Sequence, residues 1–155
     1  MRKYNEYCEG YLTTYAYCLM PNHFHLLVKV INEKAVNQLR KFFQSYALSI
    51  NKQEVRTGSL FRKHFRRKIV LSEAYLKQLV FYIHFNPEKD GFVRDYREYQ
   101  FSSFTSINSR GRSKLAKYEL INFFGGIKEF REYHKIMREQ HNIFNREIDN
   151  GLPTL

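Results

Sequence analysis

The stretch Tyr17-Cys18-Leu19-Met20-Pro21-Asn22-His23-Phe24-His25-Leu26-Leu27-Val28 constrains this chain more than any other. Pro21-Asn22 marks a turn, and the residues on both sides of it are β-branched, aromatic and aliphatic. Thr13 to Met20 therefore predicts one strand and His23 to Ile31 the next, paired as a hairpin or closely linked. Side chains alternate along a strand, so His23 and His25 share one face while Phe24 and Leu26 share the other. Two imidazoles on one side of a strand have their separation fixed before any metal arrives, which makes them a candidate ligand pair. By spacing alone such a pair is more often a half-exposed sheet face than a ligand pair. Leu26-Leu27-Val28 is apolar on both faces, which predicts a central strand covered on two sides.

Around this hairpin the pattern is mostly helical. Residues 2–12 read as the last turns of a helix, with Gly10 as its stop. From Asn32 to about Gln53, Val36, Leu39, Phe43, Tyr46, Ala47 and Ile50 form one stripe that predicts core packing. Ser72 predicts an N-cap and Glu73 suits the first turn of a helix running to Phe85, where Asn86-Pro87 would stop it. Its core stripe is Leu76, Leu79, Val80 and Ile83, with Gln78, Tyr82 and Asn86 four residues apart along another face. Phe101-Ser102-Ser103-Phe104 opens a short helix, Asn108 to Lys117 is a basic, serine-containing loop, and Tyr118–Phe124 and Lys128 to about Gln140 are two further helices split by Gly125-Gly126. We expect one domain over residues 1–144 and a frayed tail over 145–155.

Charge narrows the partner. Lysine and arginine outnumber acids 26 to 15, a formal charge of +11 on 155 residues, which suits a polyanion and nucleic acid first among them; plain solubilising charge is the alternative. Between Leu60 and Val70 the cations Arg62, Lys63, Arg66, Arg67 and Lys68 alternate with Phe61 and Phe65, and these five are the candidate DNA contacts. Cys8 and Cys18 show no zinc spacing and no disulfide framework, and no apolar run reaches membrane length, so a cytoplasmic protein without membrane contact is expected.

Four segments carry a resemblance. The run at 17–28, Thr57-Gly58-Ser59-Leu60-Phe61, Tyr82-Ile83-His84-Phe85-Asn86-Pro87 and Phe101-Ser102-Ser103-Phe104 occur in this order. Together they resemble the single-tyrosine HUH transposases, and among these the REP-associated tyrosine transposase branch, over roughly residues 10–135. The resemblance implies an α+β fold, an antiparallel sheet flanked by helices in a ferredoxin-like (HUH) core with extra C-terminal helices. It implies cleavage and strand transfer of single-stranded DNA at hairpins through a 5′-phosphotyrosine. By motif position His23 and His25 would bind the metal, Tyr82 would be the nucleophile, and Asn86 would be the third ligand. Neutral imidazole and amide ligands suit Mg²⁺ or Mn²⁺ with several waters, with zinc left open. His64 and His84 are read as non-ligands, His84 lying about 200° around the helix from Tyr82.

The family places a strand and a longer helix before the first motif, whereas 16 residues precede Tyr17 here. That predicts an absent first strand, or one supplied by another chain, and an exposed edge that favours a homodimer. Two further readings stay open: a catalytically inactive relative that binds hairpin DNA or RNA, and a metal-dependent RNA-processing nuclease that uses water in place of Tyr82.

Overall fold

The computed structural model describes residues 2–61 and 65–141. Its elements are α1 (Arg2–Cys8), β1 (Leu12–Leu19), β2 (Phe24–Val30), α2 (Ala35–Gln53), α3 (Glu73–Lys89), α4 (Phe104–Asn108), α5 (Lys117–Phe124) and α6 (Ile127–Glu139), with a 3-10 turn at Tyr96–Glu98. The fold is α+β, and β1 and β2 form a two-stranded antiparallel sheet. The described residues fall into two compact units, one built from 2–13, 28–61 and 65, the other from 14–27 and 66–141.

In the smaller unit, α1 lies on α2. The Tyr4 ring meets the Phe42 ring edge-on at 5.5 Å, and the Lys3 ammonium reaches the hydroxyls of Ser45 and Ser49. The stripe expected to be core on α2 is only half covered: Val36, Leu39, Phe43, Ala47 and Ile50 are half-buried, Tyr46 is exposed, and the one buried residue of the helix is Ala35, outside the stripe. The reason is a mismatch of lengths, since a helix of 7 residues cannot cover one of 19. Phe43 instead finds aromatic company in Phe61 and Phe65, at 5.5 and 5.2 Å.

The larger unit has the true core. Tyr15, Ala16, Cys18, Met20 and Leu27 of the hairpin pack with Val80, Phe81, Ile83 and Phe85 of α3, and Phe104, Ile107, Leu120 and Phe130 close the far side. The turn sits at Pro21-Asn22, closed by the Met20 amide donating to the His23 carbonyl at 2.8 Å. β2 is not the central strand its apolar run suggested. Among the described residues its sheet neighbour is β1 alone, and Lys29 and Val30 at its end are exposed. β1 takes the central place because Phe101-Ser102-Ser103 lines its other edge. Leu19 N–H donates to the Phe101 carbonyl, Ser103 N–H to the Tyr17 carbonyl, and Tyr17 N–H to the Ser103 hydroxyl. This segment works as a substitute strand, satisfying edge groups that would otherwise be buried unpaired.

α3 starts as expected, with the Ser72 hydroxyl accepting from Tyr75 N–H at 3.2 Å. It does not stop at Asn86-Pro87 but runs on to Lys89, with Pro87 inside the helix. Proline there removes only the donor to the Ile83 carbonyl, because the turn that follows is closed by other bonds. Asp90 N–H donates to the Asn86 carbonyl at 2.9 Å and Phe92 N–H to the Pro87 carbonyl at 2.8 Å. Residues 79–87 are all buried, so packing around the whole circumference outweighs a local preference to end. Gly125 and Gly126, at φ of 90° and 140°, turn the chain between α5 and α6 in a region that side chains disfavour.

Candidate active site

Two elements of the larger unit build the site. The start of β2 brings His23 and His25, and the second half of α3 brings Tyr82 and Asn86. One turn separates Tyr82 from Asn86, which keeps them on one helix face. The imidazoles of His23 and His25 meet edge-on with centroids 5.0 Å apart, and the ring of His25 meets the ring of Tyr82 at 5.6 Å and 72°. His25 lies on the buried face of β2 with Leu27, which is why it reaches α3. Three of the four residues the hairpin and α3 motifs singled out are therefore in one ring cluster. Asn86, one turn on, has its amide nitrogen donating to the Tyr82 carbonyl at 3.1 Å, which turns the amide oxygen away from that carbonyl.

The protonation of His23 is set by its neighbours. Nδ1 lies 2.7 Å from the Asn22 side-chain oxygen, which only accepts, so Nδ1 carries the proton and Nε2 the lone pair. Burial holds His23 below the ordinary imidazole range, Asp90 pulls it up and Lys89 pushes it down. A neutral His23 with Nε2 as its lone-pair nitrogen is the form that ligates a metal. Among the described residues no three His, Cys, Asp or Glu side chains gather into a metal-binding group. The residues of this site that could hold a cation are His23, His25 and Asn86, whose neutral donors suit an ion that keeps several waters.

Two residues that spacing did not single out join the site. The Lys89 ammonium sits 5.1 Å from the centre of the Tyr82 ring, and the Asp90 carboxylate acts on His23. Both follow from α3 continuing past Pro87, so a helix stop at that proline hid them. Lys89 at i+7 from Tyr82 was the signal available, since i, i+4 and i+7 share a helix face. Tyr82 is 3% exposed and Asn86 2%.

The expected DNA contacts divide. Arg62 and Lys63, like His64, lie outside the described residues. Arg66, Arg67 and Lys68 are exposed in an irregular segment, with the Lys68 ammonium 5.2 Å from the Tyr75 ring centre. His84, expected to face away from Tyr82, is fully buried: Nε2 lies 2.8 Å from the Ser103 hydroxyl and Nδ1 3.0 Å from Nε2 of His134.

No helix among the described residues is long and apolar enough to cross a membrane. No family model and no solved structure matches the chain. The chain is similar to a protein of Haemophilus influenzae (strain ATCC 51907 / DSM 11121 / KW20 / Rd), 26% identical over 115 residues that cover 65% of this chain and 64% of that protein. It thus spans less than two thirds of the relative's length. The relative is provisionally named a REP-associated tyrosine transposase, so the similarity supports a kinship of the transposase kind.

Proposed function

We propose that this chain cleaves and rejoins single-stranded DNA at hairpin sequences, with Tyr82 as nucleophile. The observation that carries the proposal is the ring cluster of His23, His25 and Tyr82, built by two separate motifs on a chain similar to a named transposase. In the first step the Tyr82 oxygen attacks phosphorus and loses its proton. The phosphorus–3′-oxygen bond breaks, leaving a 5′-phosphotyrosine and a free 3′-hydroxyl. A second 3′-hydroxyl then attacks the phosphotyrosine and releases Tyr82, so phosphoester energy is conserved without a nucleotide cofactor. A Mg²⁺ or Mn²⁺ ion held by His23, His25 and Asn86 would supply charge withdrawal from the scissile phosphate. Lys89 adds a fixed positive charge beside the phenol, where the phosphate must arrive. Arg66, Arg67 and Lys68, with Arg62 and Lys63, would hold flanking phosphates.

Burial of Tyr82 favours a second reading, a relative that binds hairpins without cleaving them, because a covered phenol must be exposed before it can attack. The deciding experiment is denaturing-gel detection of a covalent adduct between the protein and an end-labelled hairpin oligonucleotide with Mn²⁺. We expect an adduct in the wild type that is absent in Tyr82→Phe and His23→Ala. Hairpin binding with no adduct would establish the binding relative; cleavage that survives Tyr82→Phe would establish a water-using nuclease.

A further inference from the structure

We propose that the loop between α4 and α5, together with the outer face of α6, is a second phosphate-binding surface, which holds the duplex stem of the hairpin. This rests on reading the chain as one that handles hairpin DNA, and it concerns a face whose residues take no part in the His23, His25 and Tyr82 cluster.

The loop has an internal scaffold. Lys117, 4% exposed, donates its ammonium to the carbonyls of Ser109 and Gly111 at 2.9 and 2.6 Å. The Ser106 and Ser113 hydroxyls join at 3.2 Å, and the Ser109 hydroxyl donates to the Ser106 carbonyl at 2.9 Å. Taking an ammonium out of water is costly unless it gains hydrogen bonds such as these. A loop that carried charge only for solubility would need no such staple. What this scaffold holds outward is Arg110, Arg112 and Lys114, all exposed, and Ser109–Lys117 contains no acid.

α6 extends the surface. Arg131 Nε donates to the Asn108 side-chain oxygen at 2.8 Å, which ties the helix to the start of the loop. At 100° per residue, Lys128, Arg131, Lys135 and Arg138 fall within about 80° of one another. Lys128, Arg131 and Lys135 are exposed, and no ion pair engages Arg110, Arg112, Lys128 or Lys135 among the described residues. Arg138, by contrast, is committed to Glu88 at 2.8 Å. A cleft of about 460 Å³ is lined by Tyr96 and Phe104 and by charged side chains, among them Arg97, Arg131, Lys135 and Glu132, the last its one acid. Cations carried on a fixed loop and a rigid helix suit a target whose charges are themselves held in place, as the phosphates of a duplex are.

The test measures binding and does not depend on cleavage. Fluorescence anisotropy would follow the whole protein with a labelled DNA hairpin carrying a single-stranded flank, and with an unstructured oligonucleotide of equal length, across a salt series. Two double variants, Arg110→Gln/Arg112→Gln and Lys128→Gln/Lys135→Gln, alter only surface side chains, and a thermal melt checks that each folds. We expect each to weaken hairpin binding about tenfold and to flatten the plot of log K against log salt by about 0.9 for each phosphate that is no longer neutralised. The ratio of hairpin to unstructured affinity should fall with it. Hairpin affinity and salt slope unchanged in both folded variants would overturn the proposal, as would equal weakening on both oligonucleotides. The adduct assay with Tyr82→Phe tests the cleavage reading separately, so either can fail alone.

Discussion

The larger unit holds two histidine pairs that differ in how their nitrogens are used. In the His84–His134 pair every ring nitrogen has an internal partner, and the order of donors is fixed. His134 Nδ1 faces the Phe130 carbonyl at 2.8 Å and must donate to it, so its Nε2 accepts from His84 Nδ1–H, and His84 Nε2 accepts from the Ser103 hydroxyl. The chain of bonds joins α3 and α6 to the Ser103 that precedes α4, and it ends in a backbone carbonyl. In the His23–His25 pair, Asn22 engages Nδ1 of His23 and leaves the lone pair on its Nε2. Residue type says nothing about this difference. One pair is placed to hold the core together, and the other is the pair proposed to ligate a cation.

Breaking the buried pair should have the largest effect. His84→Ala removes a fully buried ring and leaves Ser103 and His134 without their shared partner, so a loss of about 3 kcal/mol or more in unfolding free energy is expected from urea denaturation.

Acid should act on the same pair without mutation. Burial holds His134 down to about 4 against an ordinary 6.5, and burial and the neighbouring His134 hold His84 well below its ordinary value. The unfolded chain therefore binds more protons than the folded one between these limits. Stability from the pair is complete above about pH 6.5 and is lost as pH falls toward 4, by up to roughly 3 kcal/mol. Chemical denaturation at a series of pH values checks this, and a stability flat from pH 7 to 4 would contradict it. In His84→Phe/His134→Phe much of the slope should disappear.

The smallest stability effects belong to the exposed end of the site. Asn22→Ala frees the His23 tautomer and should weaken Mn²⁺ binding about 10- to 100-fold by calorimetry. Its unfolding free energy should move by less than about 1 kcal/mol. A stability loss as large as that of His84→Ala would show that the two pairs do the same work.

Much of the hairpin and its site was legible because the signals are local. Pro21-Asn22 supplies turn chemistry, alternation places His23 and His25 together, Ser72 can cap only a helix that begins at Glu73, and four-residue spacing puts Tyr82 and Asn86 on one face. The misreadings came where distant residues decide. The apolar run of β2 suggested a central strand, yet Ser103, 86 residues after Tyr17, gives that place to β1. Pro87 signals a stop, yet burial of residues 79–87 carries α3 past it and brings Lys89 and Asp90 to the site.

The sequence by itself determined the turn, the helical and strand periods, the basic charge and the chemical types at positions 23, 25, 82 and 86. These depend on neighbours a few residues away, and backbone geometry fixes them. Only the tertiary structure decided which histidines are locked by partners, which face of β2 is covered, and which lysine is spent inside a loop while its neighbours stay outside. Those are properties of packing, where the environment of a polar group is set by segments far apart in the chain and its free energy by the hydrogen bonds it finds there.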